Sequence, residues 1–293
     1  MKRGKIAIIG SGPAGMHSAL LLARQGFSVE IFEREKQLGG MPRYFLPKFR
    51  FTRKGIEEKE KKLNELGVKI HLGKEIGEAM PLQGIAEKFD FVILACGEWK
   101  ARKLGILGES LKGIAQWDSF LRQYNEGRAG KMQGKRAIVI GGGDTAVDCA
   151  RAAKKLGAEA VIAYRRSREG MPAESREIAA AESEKIKFIF HLSPAKFTGK
   201  GKLEAIEFEK TQGQGREMKM TGIKEEVQAD IAVIAAGQML DQKIFGGSKF
   251  KSLDGLPENV FIAGDIAGRE KRIAAAVRSA AEAVEKIRQI TDN

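Results

Sequence analysis

Two stretches of the chain repeat each other: Lys5-Ile6-Ala7-Ile8-Ile9-Gly10-Ser11-Gly12-Pro13-Ala14-Gly15 and, 131 residues on, Arg136-Ala137-Ile138-Val139-Ile140-Gly141-Gly142-Gly143-Asp144-Thr145-Ala146. Each is a short apolar run that ends in a glycine cluster and opens a helical pattern, over 16–25 in one copy and 146–156 in the other. A glycine closes each helix, Gly26 and Gly157, and a second apolar run follows, 29–32 and 160–163. Strand, turn, helix and strand in that order build a parallel βαβ unit, so the repeat predicts two doubly wound parallel sheets.

The spacing of the glycines points to phosphate. Gly10 permits the tight turn, Gly12 lets backbone approach a pyrophosphate, and Gly15 lets the helix pack close to the strand. The helix N-terminus then faces the anion. Glu33, 18 residues after Gly15, ends the next strand and can accept hydrogen bonds from ribose hydroxyls. A carboxylate there repels a 2′-phosphate, so this site suits NAD or the AMP half of FAD.

The second copy has the Gly-x-Gly-x-x-Ala form, with Tyr164 at the position matching Glu33, followed by Arg165, Arg166 and Arg168. Cations stand where a 2′-phosphate would sit, which predicts NADP(H) over NAD(H). The same arginines also suit a solvated charged loop. One site for FAD and one for NADP(H) make hydride transfer from nicotinamide to flavin the natural chemistry. Such chemistry asks the protein to stack two rings, exclude water and stabilise charge on the reduced flavin.

Two further runs, Asp90-Phe91-Val92-Ile93-Leu94-Ala95-Cys96-Gly97 and Asp230-Ile231-Ala232-Val233-Ile234-Ala235-Ala236-Gly237, read as buried strands that end beside a crevice. Residues 259–265 form another strand, belonging to one of the two sheets, before a final helix over 273–290. Between 186 and 229 the period changes to two, broken at Thr198-Gly199-Lys200-Gly201 and Gln212-Gly213-Gln214-Gly215, which predicts an inserted antiparallel β-meander. The expected organisation is an FAD-binding domain over 1–103 and 238–293, with an NAD(P)-binding domain over 104–237 inserted in it. The expected fold class is α/β, with two Rossmann-like dinucleotide-binding domains.

Composition sets the outer limits. With 293 residues, 43% hydrophobic and 30% charged, the chain is globular and not disordered. No apolar stretch nears the ~20 residues that span a bilayer, and Met1-Lys2-Arg3-Gly4-Lys5-Ile6 leads straight into a strand, so the expected location is cytoplasmic. Two cysteines, Cys96 and Cys149, and three scattered histidines argue against a disulfide framework, an iron–sulfur site or any metal centre. The net charge of +13 suits an acidic partner or anionic cofactor. Nucleic acid is not expected, because no binding motif is present and aromatic residues are only 7%.

Three segments carry a family resemblance: Gly39-Gly40-Met41-Pro42-Arg43-Tyr44-Phe45-Leu46-Pro47-Lys48-Phe49-Arg50, Tyr164-Arg165-Arg166-Ser167-Arg168-Glu169-Gly170-Met171-Pro172-Ala173 and Ala263-Gly264-Asp265. Together with the two glycine motifs they resemble the two-dinucleotide-domain FAD/NAD(P) oxidoreductases, in the branch around the glutamate synthase small (beta) subunit. The resemblance covers nearly the whole chain. It implies FAD contacts from Gly10, Gly12, Gly15, Glu33, Gly40 and Asp265, the last on the ribitol chain, and NADP(H) contacts from Gly141, Gly143, Arg165 and Arg166. The complete candidate FAD set adds Pro13, Ala14, Arg34, Arg43, Gly97, Gly264 and Ile273, where the final helix would aim its N-terminus at the flavin carbonyl edge. The candidate NADP(H) set adds Asp144, Thr145, Ala146 and Gly237. No side chain is assigned a catalytic role, since the flavin carries the chemistry.

Departures from the branch are informative too. Its larger members carry an N-terminal domain with cysteine-ligated iron–sulfur clusters, whereas this sequence opens at the FAD strand, so electrons are expected to leave for a separate acceptor. The expected partner is an iron–sulfur subunit or an acidic electron-transfer protein such as ferredoxin. Residues 34–62 hold ten Lys/Arg against four Glu and offer a basic docking segment, although alternating signs over 55–63 are also those of a solvated helix face. No Cys-x-x-Cys lies beside the flavin segment, which disfavours thioredoxin-type reduction. Cys96 stands where the family usually has Thr and reads as a small buried residue. The alternatives to an NADPH-driven electron donor are a thioredoxin-reductase-like or oxygen-using oxidase, and a flavoprotein whose FAD is structural.

Overall fold

The computed structural model describes residues 3–213, 215–268, 270 and 272–292, apart from the side chain of Arg216. In chain order the elements begin β1 (Lys5–Ile9), α1 (Pro13–Arg24), β2 (Ser28–Glu33), α2 (Gly40–Tyr44), α3 (Lys54–Glu65), β3 (Lys69–Leu72), α4 (Leu82–Ala86) and β4 (Phe91–Leu94). The middle of the chain forms β5 (Lys100–Ala101), β6 (Ile114–Gln116), α5 (Trp117–Asn125), β7 (Arg136–Ile140), α6 (Asp144–Lys155), β8 (Glu159–Tyr164), α7 (Ser175–Ser183) and β9 (Lys187–Phe190). It continues through β10 (Leu192–Thr198), β11 (Ala205–Gln212), β12 (Lys219–Gln228), β13 (Ile231–Ile234) and β14 (Gln238–Met239), and closes with β15 (Val260–Ile262) and α8 (Ile273–Asp292).

These elements gather into two compact units: Met1–Tyr44 with Lys48–Trp99 and Leu240–Asn293, and Phe45–Pro47 with Lys100–Met239. Each is built on a five-stranded parallel sheet, ordered β15-β4-β1-β2-β3 in the first and β6-β13-β7-β8-β9 in the second. The run at 259–265 therefore joins the first sheet. Residues 100–101 pair with 238–239 as a two-stranded antiparallel ribbon within the second unit.

Unbroken apolar strands arise because both faces of the first sheet are covered. Ile6, Ile8, Ile31 and Ile93 pack on α1 and α8 through Ala19, Leu22, Ala280 and Ile287. The alternate residues Ala7, Ile9, Phe32, Val92 and Leu94 pack on Leu82, Ile85 and Phe245. In the second sheet Ile138, Ile140, Val161 and Ile234 lie against Phe197, Ile206 and Phe208 of the three-stranded antiparallel sheet β10-β11-β12, while α6 contacts β7 and β8.

Two expectations change in detail. The period-two region does not begin the meander at 186, because β9 runs parallel to β8 as the edge of the second sheet and only β10 to β12 are antiparallel. The turn at 199–204 joins β10 to β11; of the turn at 212–215, Gln214 lies outside the described residues. The runs drawn to Gly97 and Gly237 stop as strands at Leu94 and Ile234, after which glycines with φ of +66° and +134° turn the chain.

Candidate functional site

In the first unit the turn after β1 is shaped by contacts that admit no side chain. Gly10 has φ +97°, and a Cβ there would lie 2.6 Å from the Ala95 carbonyl oxygen; one on Gly15 would lie 2.0 Å from the Gly10 carbonyl oxygen. Crowding thus explains both residues. It does not explain Gly12, whose Cβ would meet no atom within 4 Å although it caps α1 with an ordinary φ of −66°. The protein leaves that space open in front of the first turn of a helix, where a phosphate is stabilised by free N–H groups and the helix dipole. Pro13 at the start of α1 gives up only an N–H that the helix does not use.

Glu33 is 3% exposed and organises the turn. Its Oε2 accepts the Ser11 N–H at 2.9 Å and the Ser11 hydroxyl, while Oε1 accepts the Glu35 N–H at 2.8 Å. Three donors leave acceptor capacity on the carboxylate for a further hydroxyl donor. Around the same turn Gly40, with φ +58°, abuts Gly12 so closely that a Cβ would stand 2.6 Å from the Gly12 Cα. A Cβ on Gly264, φ +80°, would stand 3.2 Å from the Ala14 Cβ, and one on Gly97 would lie 3.9 Å from an Asp265 carboxylate oxygen. The Gly264 N–H donates to the Ser279 hydroxyl at 2.8 Å, tying the Gly264–Asp265 turn to α8.

Arg34 stacks its guanidinium 4.4 Å from the centre of the Trp99 ring, and Tyr44 packs on the same ring at 5.8 Å. Trp99 also borders the Cβ directions of Gly40 and Gly97, at 3.7 and 3.4 Å. Sequence reasoning passed over Trp99, Ser11 and Ser279. Trp99 had a usable signal, because it is one of only two tryptophans and follows Gly97 by two residues. Arg43 is 8% exposed, its Nε donates to the Leu38 carbonyl, and its Nη atoms reach Gln37 at 3.3 Å and Glu60 at 3.7 Å. Ile273 begins α8 and is 40% exposed.

The second unit repeats the turn. Gly141, φ +149°, would place a Cβ 2.3 Å from the Ala235 carbonyl oxygen, whereas the nearest atom to a Cβ on Gly143 is the Pro172 Cγ at 3.9 Å. Again the first glycine is explained by crowding and the N-cap glycine is not. Ala146 takes the position of Gly15, 3.2 Å from that same Gly141 Cβ direction. Asp144 turns its carboxylate onto the Glu174 N–H at 2.8 Å, and Thr145 Oγ1 lies 3.4 Å from the Gln238 amide nitrogen. Gly237 accepts the Arg102 N–H through its carbonyl at 3.1 Å.

Where the first unit has a carboxylate the second has a phenol. Tyr164 is 7% exposed, its ring fills the space a Cβ on Gly142 would need at 2.4 Å, and its hydroxyl donates to the Gly170 carbonyl at 2.8 Å. No carboxylate therefore ends β8. The loop that follows carries Arg165, exposed, and Arg166, half-buried, with one Arg166 Nη donating to the Gly215 carbonyl at 3.3 Å. The Arg166 Nε is buried and has no hydrogen-bond partner among the described residues. Arg168 is paired with Glu182 at 2.7 Å.

Burial pushes the Cys96 thiol up to about 12 and pushes the fully buried Cys149 up as well, so neither offers a thiolate near neutral pH. Among the described residues no group of His, Cys, Asp and Glu side chains is arranged to hold a metal ion, and no helix is long and apolar enough to cross a membrane.

The chain is 34% identical over 250 residues to the glutamate synthase [NADPH] small chain of Halomonas elongata, covering 80% of this chain and 53% of that protein. It is 33% identical over 254 residues to the beta subunit of the NADP(+)-dependent formate dehydrogenase of Moorella thermoacetica, covering 83% of this chain and 36% of that one. It thus spans about half or less of the length of these two relatives. Its fold matches that of Mycobacterium tuberculosis FprA in complex with NADPH, with a TM-score of 0.82 at 22% identity over 98% of this chain and 84% of that one. The model of the pyridine nucleotide-disulphide oxidoreductase family matches residues 4–283, and the chain belongs to that family.

Proposed function

We propose that the chain is an FAD-dependent oxidoreductase that takes reducing equivalents from NADPH and passes them to a separate acceptor. The paired cradles carry this reading: each unit leaves its N-cap glycine open in front of a helix, one beside a buried carboxylate and the other beside a phenol and two arginines. FAD, when bound, supplies the step that converts a hydride from the nicotinamide into electrons for an acceptor.

The first unit has the residues to hold FAD. Gly12 and the first turn of α1 face the diphosphate, Glu33 takes a ribose hydroxyl, and Asp265 lies beside the same turn with Gly97. Arg34 and Trp99 form a flat wall suited to an aromatic base. Arg43 keeps α2 in place through Leu38, Gln37 and Glu60. In the second unit Gly143 and the start of α6 face the NADP(H) diphosphate, and the exposed Arg165 with the half-buried Arg166 meets the 2′-phosphate. Tyr164 removes the ribose-binding carboxylate that NAD would use.

The acceptor is a redox partner: an iron–sulfur subunit or an acidic electron-transfer protein. Two relatives are named as a chain of glutamate synthase and a subunit of formate dehydrogenase, which supports a partnered role. The raised thiol pKa values of half-buried Cys96 and buried Cys149 weigh against thiol chemistry as the exit route. The test is an anaerobic titration of the purified protein with NADPH and then NADH, followed in the visible spectrum. The expected result is a bound flavin bleached preferentially by NADPH. A protein that takes up no FAD, or a flavin that neither nucleotide reduces, overturns the reading.

A further inference from the structure

The loop that carries Arg165 and Arg166 is held by an irregularity in the neighbouring antiparallel sheet. Along β11 the buried residues alternate as expected, Ile206 and Phe208 inward, so Lys210 would be the next to face in. The β11–β12 register slips between Glu209 and Thr211, however, leaving Lys210 exposed and turning Thr211 inward to 5% exposure. The Thr211 hydroxyl then donates to the Arg165 carbonyl at 2.6 Å, and the Thr211 N–H donates to the His191 carbonyl at 2.8 Å. His191 in turn donates its N–H to the Arg166 carbonyl at 3.2 Å, from a left-handed backbone with φ +58° that a non-glycine residue seldom adopts. A register slip, a left-handed histidine and a buried hydroxyl therefore converge on the carbonyls of two consecutive arginines. His191, Thr211 and Phe190 also border a cleft of about 360 Å³.

We propose that Thr211, with the His191 backbone, is a positioning residue for discrimination between NADPH and NADH: it fixes the Arg165–Arg166 backbone so that both guanidinium groups converge on the 2′-phosphate. This rests on the reading of the second unit as an NADP(H) site. The meander thereby becomes a brace for the specificity loop, since its hairpin also supplies the Gly215 carbonyl to Arg166. Thr211 touches no ligand in this account; its effect passes through the arginines. Loss of one buried hydrogen bond corresponds to a three- to tenfold loss of binding.

The test is anaerobic flavin bleaching by NADPH and by NADH over a range of nucleotide concentrations, in the wild type, Thr211→Val and Thr211→Ser. Thr211→Val keeps the shape and removes the donor. It is expected to raise the apparent Kd for NADPH about three- to tenfold while leaving the limiting bleaching rate, the flavin content and the Kd for NADH as in the wild type. Thr211→Ser is expected to restore the NADPH value. An unchanged ratio of NADPH to NADH affinity in Thr211→Val, or equal losses for both nucleotides, overturns the brace. A wild type that shows no preference for NADPH overturns the NADP(H) reading itself, and the brace with it.

Discussion

The two glycine turns differ far less in backbone than in what surrounds them. Gly10 and Gly141 each donate an N–H to the strand that follows the helix, at 2.8 and 3.0 Å, and the carbonyl just before each glycine, that of Ile9 or Ile140, accepts the Ala95 or Ala235 N–H at 2.8 Å. Gly12 and Gly143 both cap a 12-residue helix and both leave their Cβ direction open. The differences sit at the end of the next strand, Glu33 against Tyr164, and on the far sheet face, where the second unit packs on its antiparallel meander. On the proposed reading, the shared part serves a diphosphate and the variable part distinguishes one nucleotide from another. A fold that needs the same backbone twice can thus assign two nucleotides by side chains beyond the helix it repeats.

The largest effects should come from filling the two open positions. Neither Gly12 nor Gly143 has positive φ, so Gly12→Val and Gly143→Val should fold and lose only what the added atoms displace. Gly12→Val is expected to purify without flavin. Gly143→Val is expected to keep its flavin and lose bleaching by NADPH by more than about 100-fold, a scale set by the loss of several phosphate hydrogen bonds. Absorbance of the purified variants and anaerobic bleaching check both, and a Gly143→Val protein reduced like the wild type would break the comparison.

Next in size are the arginines. Arg166→Ala, and separately Arg165→Ala, should weaken NADPH binding by roughly 10- to 100-fold, the range for one charge-assisted hydrogen bond, with NADH changed by less than about twofold. The Kd values from nucleotide-dependent bleaching decide this. Glu33→Gln should lower FAD affinity by about tenfold, because an amide accepts fewer of the hydrogen bonds from Ser11, Glu35 and ribose; equilibrium dialysis of the reconstituted protein measures it. The smallest effect belongs to Cys96→Ser, expected to change NADPH-dependent flavin reduction by less than about twofold, while iodoacetamide leaves the native thiols unlabelled since burial keeps them protonated at neutral pH.

Much of this was legible in the sequence because both glycine motifs have strong local causes. Apolar runs, glycine spacing and the Glu33-to-Tyr164 exchange are read directly along the chain, and the structure sets those residues at matching places in two parallel sheets. What could not be read depends on partners distant in sequence. Arg43 has the charge of a ligand-binding residue, yet its direction is decided by the Leu38 carbonyl and by Glu60 of α3. Trp99 gains its place from stacking on Arg34, and Thr211 from a register slip that period-two alternation, which points Lys210 inward, does not foresee. β9 is drawn into the meander by sequence because this short edge strand of the parallel sheet, exposed at Lys187 and only half-buried over 188–190, lacks the fully buried apolar run that marks the inner parallel strands.

The central claim, one chain with two nucleotide sites of opposite preference at the ribose, is tested most directly by competition with nucleotide fragments. Adenosine 2′,5′-bisphosphate and 5′-AMP would be titrated against NADPH while flavin fluorescence reports any release of FAD. The account predicts that the 2′-phosphorylated fragment competes with NADPH at least tenfold more strongly than 5′-AMP and leaves FAD bound. Equal competition by the two fragments, or release of FAD by the 2′-phosphorylated one, would contradict it.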